Sequence, residues 1–140
     1  MNDNELAAYN AHELIDVSEL AREVGYPPHL VTPNGAMILS IAITPRVYMN
    51  WGYWTDADSD KQIIQLQEER IWNILYHAFM AIQNKKDAFK MKVIPRDEVS
   101  KTPIEIDLRV MITGFMNKPN EIVIVIQEPD ENITSWSNNK

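Results

Sequence analysis

The feature that most constrains this chain is a change in the spacing of its apolar residues about halfway along. From about Asp60 to Asn84, Ile64, Ile71, Leu75, Ala78 and Ile82 recur at three, four or seven, as one stripe of an α-helix must. Trp72 and Phe79 flank that stripe and widen it, and Lys85 and Lys86 follow where cations complement the last helical carbonyls. Beyond residue 88 the interval becomes two. Phe89, Met91 and Val93 alternate with Lys90 and Lys92, and Ile104, Ile106, Leu108, Val110 and Ile112 alternate with Glu105, Asp107, Arg109 and Met111. A third run, 122–126, is apolar throughout, so it is either a middle strand or a strand whose outer residues, Val123 and Val125, are covered. The cover is either the amino-terminal helices or a second copy of the chain, and the reading leans to a homodimer. Short polar connections near 97–102 and 116–120 favour an antiparallel meander.

Ahead of the long helix the punctuation is dense. Asp16 or Ser18 caps a short helix carrying Leu20 and Val24 on one face, and Gly25 followed by Pro27-Pro28 closes it. Thr32-Pro33 repeats the start signal. The β-branched residues of 36–43 fit a buried strand, but that signal and the Ala, Met and Leu content favour a helix ending before Pro45, and helix is the reading taken. The expected class is therefore α+β, with short N-terminal helices and one long central helix packed on a three-stranded antiparallel β-meander. A single domain spans 1–140, with flexible ends at 1–12 and 129–140.

Charge and composition narrow the functional classes. Residues 1–60 carry nine acids against two bases, and residues 61–127 carry eight against ten, within a net charge of −7. Such a balance disfavours general nucleic-acid binding; an acidic face can imitate nucleic acid or meet a basic protein patch, but the first reading of the acidity is that it keeps the protein soluble. No cysteine is present, which removes disulfides, thiolate metal sites and cysteine nucleophiles. No apolar run is long enough for a membrane span, and the acidic start Met1-Asn2-Asp3-Asn4-Glu5 lacks the basic residues of a leader, so the expected location is the cytoplasm.

Candidate chemistry is sparse. Asp56-Ala57-Asp58-Ser59-Asp60 has the alternation of a calcium loop, but Lys61 and Gln67 stand where Gly and Glu are needed, so a capping role is expected and no metal. His12, His29 and His77 have no partners at a metal or catalytic spacing; His77 with Glu69 is a remote hydrolytic possibility. No nucleophile elbow, phosphate loop or dinucleotide motif occurs, so no enzyme and no cofactor are expected. Two features could bind. Lys85, Lys86, Lys90, Lys92, Arg96 and Lys101 form a basic cluster, with Lys90 and Lys92 on one strand face, although Glu105 and Asp107 can neutralise them across the sheet. Tyr48, Trp51, Tyr53 and Trp54 crowd beside Gly52, either outward for binding or inward as a lid.

The stretch 13–32 resembles the opening of a family of small proteins, of unassigned activity, carried by phages, plasmids and other mobile elements. The matching residues are Leu14, Ile15, Asp16, Val17, Ser18, Glu19, Ala21, Arg22, Glu23, Gly25, Pro28 and Thr32. Fainter similarity continues through Arg70-Ile71-Trp72-Asn73-Ile74-Leu75 and Val93-Ile94-Pro95-Arg96-Asp97, while Val24 and a longer aromatic stretch at 46–57 depart from the pattern. The resemblance transfers no catalytic residue and implies a mobile-element accessory protein. The first expectation is thus a non-catalytic protein-binding module that meets a host protein, such as a defence component it inhibits, through an acidic or aromatic surface. The alternative is a binder of a nucleotide-like small molecule, its base stacked on Trp51 or Trp54 and its phosphate on Lys90, Lys92 or Arg96.

Overall fold

The segment read as a helix before Pro45 is instead the strand around which the sheet is built. In the computed structural model, which describes residues 14–33, 35–115 and 118–131, it is preceded by β1 (Ile15–Asp16), α1 (Ser18–Val24) and β2 (His29–Thr32), and forms β3 (Gly35–Ile43). Thr32-Pro33 starts a hairpin rather than a helix. Thr32 Oγ1 donates to the Gly35 carbonyl at 2.8 Å, Gly35 adopts φ +112°, and β2 pairs antiparallel with β3 from Thr32↔Gly35 to His29↔Ile38. A Pro-Asn-Gly sequence suits a turn as well as Thr-Pro suits a helix start. Burial on both sheet faces decides between them, because Leu39, Ile41 and Ile43 enter the main core while Ala42 packs on the opposite side.

After β3 come α2 (Pro45–Val47), a π-helical turn (Tyr48–Gly52), α3 (Asp56–Lys61), α4 (Gln67–Gln83), β4 (Ala88–Val93), β5 (Ile104–Phe115) and β6 (Lys118–Gln127). The expected meander β4-β5-β6 is present, but it is half of a larger object. The sheet is six-stranded and mixed, in the order β1-β3-β6-β5-β4 with β2 also on β3, and β6 runs parallel to β3 from Ile38↔Glu121 to Ile43↔Ile126. The three-stranded antiparallel sheet is thereby corrected, while the α+β class stands. As a middle strand, β6 needs apolar residues on both faces, which explains its unbroken run. Val123 and Val125 form a second cluster with Ala42, against which Leu14 and Met111 pack, so they are buried without a second copy of the chain.

The main core lies between the other face of the sheet and the helices α1 and α4. Ile71, Ile74, Leu75 and Ala78 of α4 meet Met91, Leu108, Val110 and Ile126 there. The central helix is shorter than its periodicity implied. Residues 62–66 leave the helical path, and Ile64, counted in the buried stripe, is 90% exposed.

α1 closes the outer edge of β3, which would otherwise offer unpaired backbone groups. Val17 N–H donates to Ile41 O at 2.9 Å, Ser18 Oγ accepts from Ile41 N–H at 2.9 Å, and Arg22 Nη2 donates to Leu39 O at 2.6 Å. The N-cap is Val17, not Asp16 or Ser18, and it makes no side-chain cap; Asp16 Oδ1, one residue earlier, accepts from Ser18 N–H at 2.9 Å, and Gly25 ends the helix at φ +135° as expected. The terminal segments read as flexible lie outside the described residues, except 129–131, where Glu131 N–H returns to Glu128 O at 3.1 Å. No helix among the described residues is long and apolar enough to cross a membrane.

Gly25→Ala tests the turn after α1. A side chain at φ +135° is strained, and the added Cβ would lie 3.4 Å from the Phe79 ring. Urea denaturation should show a loss of about 1–3 kcal/mol with an unchanged m-value.

Candidate functional site

The aromatic segment turns inward. Thr44 caps α2, with Val47 N–H donating to its Oγ1 at 3.2 Å, and the π-helical turn closes by Tyr53 N–H to Tyr48 O at 2.7 Å. Its polar tips are occupied by the protein itself: Tyr48 OH donates to Gln67 Oε1 at 3.2 Å, Trp51 Nε1 to Glu128 Oε2 at 2.9 Å, and the buried Trp54 donates through Nε1 to Ser59 Oγ at 3.0 Å. Gly52 is buried where a Cβ would stand 3.3 Å from Ile71, so the turn is pressed onto α4. These residues form a lid over the core.

Beneath Tyr53 and Trp54 lies a polar clasp. The Arg96 guanidinium sits 4.6 Å from the Tyr53 ring centre and its Nε donates to Asp58 Oδ2 at 2.6 Å. The same carboxylate oxygen accepts Thr55 N–H at 2.8 Å and Thr55 Oγ1 at 2.9 Å, a capping box in which Thr55 is the N-cap of α3; the capping role expected of the acidic run at the central helix falls on this separate short helix instead. Burial raises the Asp58 pKa, but the Arg96 and Thr55 hydrogen bonds outweigh it and hold the group below the ordinary aspartate value. Gln62 then hooks the 94–100 loop, donating to Pro95 O and Ser100 O at 2.8 and 2.6 Å and accepting from Asp97 and Glu98 N–H. Arg70, 3% exposed, donates to Ile94 O at 2.8 Å and lies 4.5 Å over the Trp54 ring. Burial pushes its pKa down to about 10, and its Nε and Nη2 have no partner among the described residues.

The basic residues predicted for binding do not gather. Lys90 Nζ pairs with Asp107 Oδ1 at 2.6 Å, and Lys92 faces Glu105 in register. Arg96 is paired with Asp58 in the clasp. Of the residues named for a nucleotide-like ligand, Trp54 is buried, Trp51 is half-buried, and Lys90 and Arg96 are paired with Asp107 and Asp58. His77 Nδ1 lies 2.8 Å from Asn73 O while Glu69 accepts from Leu66 N–H at 3.0 Å, so those two side chains are committed elsewhere; His29 is exposed on β2, and His12 is outside the described residues.

Apolar groups face solvent at several places among the described residues, Val31, Ile64, Val99 and Ile112 among them, and on the outer side of α4 they recur along one helix. Trp72 stacks on Tyr76 with ring centres 5.6 Å apart and planes 7° from parallel, and Tyr76 and Met80 are 40% and 39% exposed. Leu66, 60% exposed, continues the surface toward the amino end of the helix, beside a groove of about 550 Å³ shared with α1. The signal for these residues was in the sequence: Trp72, Tyr76 and Met80 recur at four, on the side away from Ile71 and Leu75. Trp72 was read instead as a widening of the buried stripe.

No protein-family model, curated protein or solved structure matches this chain. The assignment of a role thus rests on the geometry above.

The clasp predicts a pH dependence. Asp58, with its pKa lowered on folding, contributes stability that is complete above the ordinary aspartate range and is lost as the pH falls through it toward the folded value. Asp58→Ala should cost at least about 2 kcal/mol near neutral pH, from ~1 for the cap and ~1–3 for donors left unbonded. Asp58→Asn should flatten the acid limb of a stability profile measured by urea denaturation; an unchanged acid limb would place the sensitivity elsewhere.

Proposed function

We propose that the chain is a non-catalytic protein-binding module whose contact surface is the outer face of α4. The observation that carries this reading is the ladder of exposed Tyr76 and Met80 with half-buried Trp72 stacked on Tyr76, on a helix whose other side is already consumed by the core. Burying a large apolar side chain is worth about 1.5–3 kcal/mol, so these residues, with Leu66 beside them, can contribute substantially to association. Trp and Tyr are also the residue types most concentrated at interface hot spots, and the stacked Trp72–Tyr76 pair presents them with little rotameric entropy left to lose. The partner in this reading is a host protein, and the accessory role, including inhibition of a host defence system, follows from the resemblance to mobile-element proteins. The aromatic segment Tyr48–Gly52 with Tyr53 and Trp54 is assigned the task of holding α4 in place rather than touching the partner.

A photoreactive benzoylphenylalanine placed at position 76 tests the proposal in extract of the organism that encodes the chain, with the same group at Glu105, on the opposite sheet face, as control. One discrete adduct is expected from position 76 and not from 105. Trp72→Ala with Met80→Ala should reduce that adduct at least ten-fold, about what loss of one modest hot spot costs, without changing the thermal midpoint by more than a few degrees. Equal labelling at both positions, or labelling unaffected by the paired substitution, would reject α4 as the contact surface.

A further inference from the structure

We propose that the groove between α1 and the first turns of α4 receives arginine side chains from a basic, partly apolar segment of the partner, an inference that rests on the protein-binding reading of this face. Leu20, Leu66 and Trp72 supply its apolar lining, and Glu23, Glu68 and Glu69 supply its charge. Its volume of about 550 Å³ lies within the ~300–1,000 Å³ of clefts that engulf organic groups and exceeds what a bare cation fills.

Three exposed carboxylates line this one groove, and none of them has a cationic partner within 4 Å among the described residues. Two stand in the first turn of α4, where the helix dipole favours negative charge, but that dipole is equivalent to only about half a positive charge. A net negative field is left over. Among the described residues no three carboxylates or imidazoles converge closely enough to hold a metal ion, so the matching cation must be extended enough to meet the acids separately.

Arginine has that form. Its aliphatic stem can lie along Leu20 and Leu66 while the planar guanidinium reaches a carboxylate through paired N–H donors. Tyr76 stacks on Trp72 from the carboxyl-terminal side, and the groove lies toward Leu66, Glu68 and Glu69 on the other. A guanidinium is weakly hydrated and stacks on an indole, so arginine is favoured over lysine at such a place. The excess of acids over bases in residues 1–60 attracts the same class of segment from a distance.

The test uses the full chain and three acetylated amphipathic peptides of one Ala and Leu framework, their polar positions filled with Arg, Lys or Glu. Two-dimensional NMR follows the Trp72 indole and the amides of Leu66 and Asn73. The Arg peptide is expected to shift these signals and saturate, the Lys peptide to bind more weakly, and the Glu peptide to leave them unmoved. Glu68→Lys with Glu69→Gln, which preserves the acceptor for Leu66 N–H, should weaken the Arg peptide at least ten-fold, about the effect of two rim charges. Equal response to Arg and Glu peptides, or no response to the Arg peptide, overturns the inference. So does a Trp72 shift that grows with protein concentration alone, which would assign the face to a second copy. If the Arg peptide fails while cross-linking through position 76 persists, the chemistry of the groove is wrong and the protein-binding reading stands; if both fail, both fall.

Discussion

The parallel pairing of β3 with β6 is the constraint on which the rest of the structure depends. It joins residues 38–43 to 121–126, so everything between them must leave one end of the sheet and return beside it. That long connection contains the π-helical turn, α3, the central helix and the outer hairpin of the sheet. Because β3 and β6 are covered on both faces, neither can slip by one residue without placing Leu39, Ile41, Ile124 and Ile126 on the wrong side. The register therefore fixes where Thr44 begins the return, and Thr44 N–H donating to Ile126 O at 3.1 Å ties that start directly to the neighbouring strand.

Within the connection, apolar and polar forces have separate tasks. The inner side of α4 is fixed by burial, whereas its amino-terminal approach is fixed by directional bonds: Asp58 to Arg96, Gln62 to the 94–100 loop, and Tyr48 to Gln67. Arg70 spans both regimes, since its charge is removed from water yet only one of its nitrogens finds an acceptor among the described residues. Stacking on Trp54 offsets part of that cost. With the helix held from below and at one end, its outer side is free of structural duty, and the stacked Trp72 and Tyr76 stand on a rigid base.

Much of this was legible in the residues. Alternation located β4 and β5, Gly25 located the end of α1, and the acids around Asp58 take part in a helix cap, though of α3 and not of the central helix. The run at 122–126 announced a strand buried on both faces, but not its parallel neighbour, because periodicity reports how many faces are covered and never by which segment. β3 was lost because its buried half, residues 39–43, has the composition of a buried helix segment, and Thr32-Pro33 serves both a helix start and a hairpin. The candidate site was harder still. Sequence shows that Tyr48, Trp51, Tyr53 and Trp54 are close together, but the direction of Tyr48, Trp51 and Trp54 is decided by Gln67, Glu128 and Ser59, residues 5 to 77 positions away.

The distance along the chain between β3 and β6 also orders events during synthesis. At about 5–20 residues per second, β3 emerges from the ribosome roughly 4–16 s before the strand that will cover its inner edge. Throughout that interval its unpaired backbone edge is a template for pairing with any other nascent chain. The segments translated just before it, β1, α1 and β2, already occupy its opposite edge in the finished fold, and among the described residues they are the neighbours of β3 available so early. The amino-terminal elements thus act as a local guard, halving the adhesive surface of the strand while it waits for its partner.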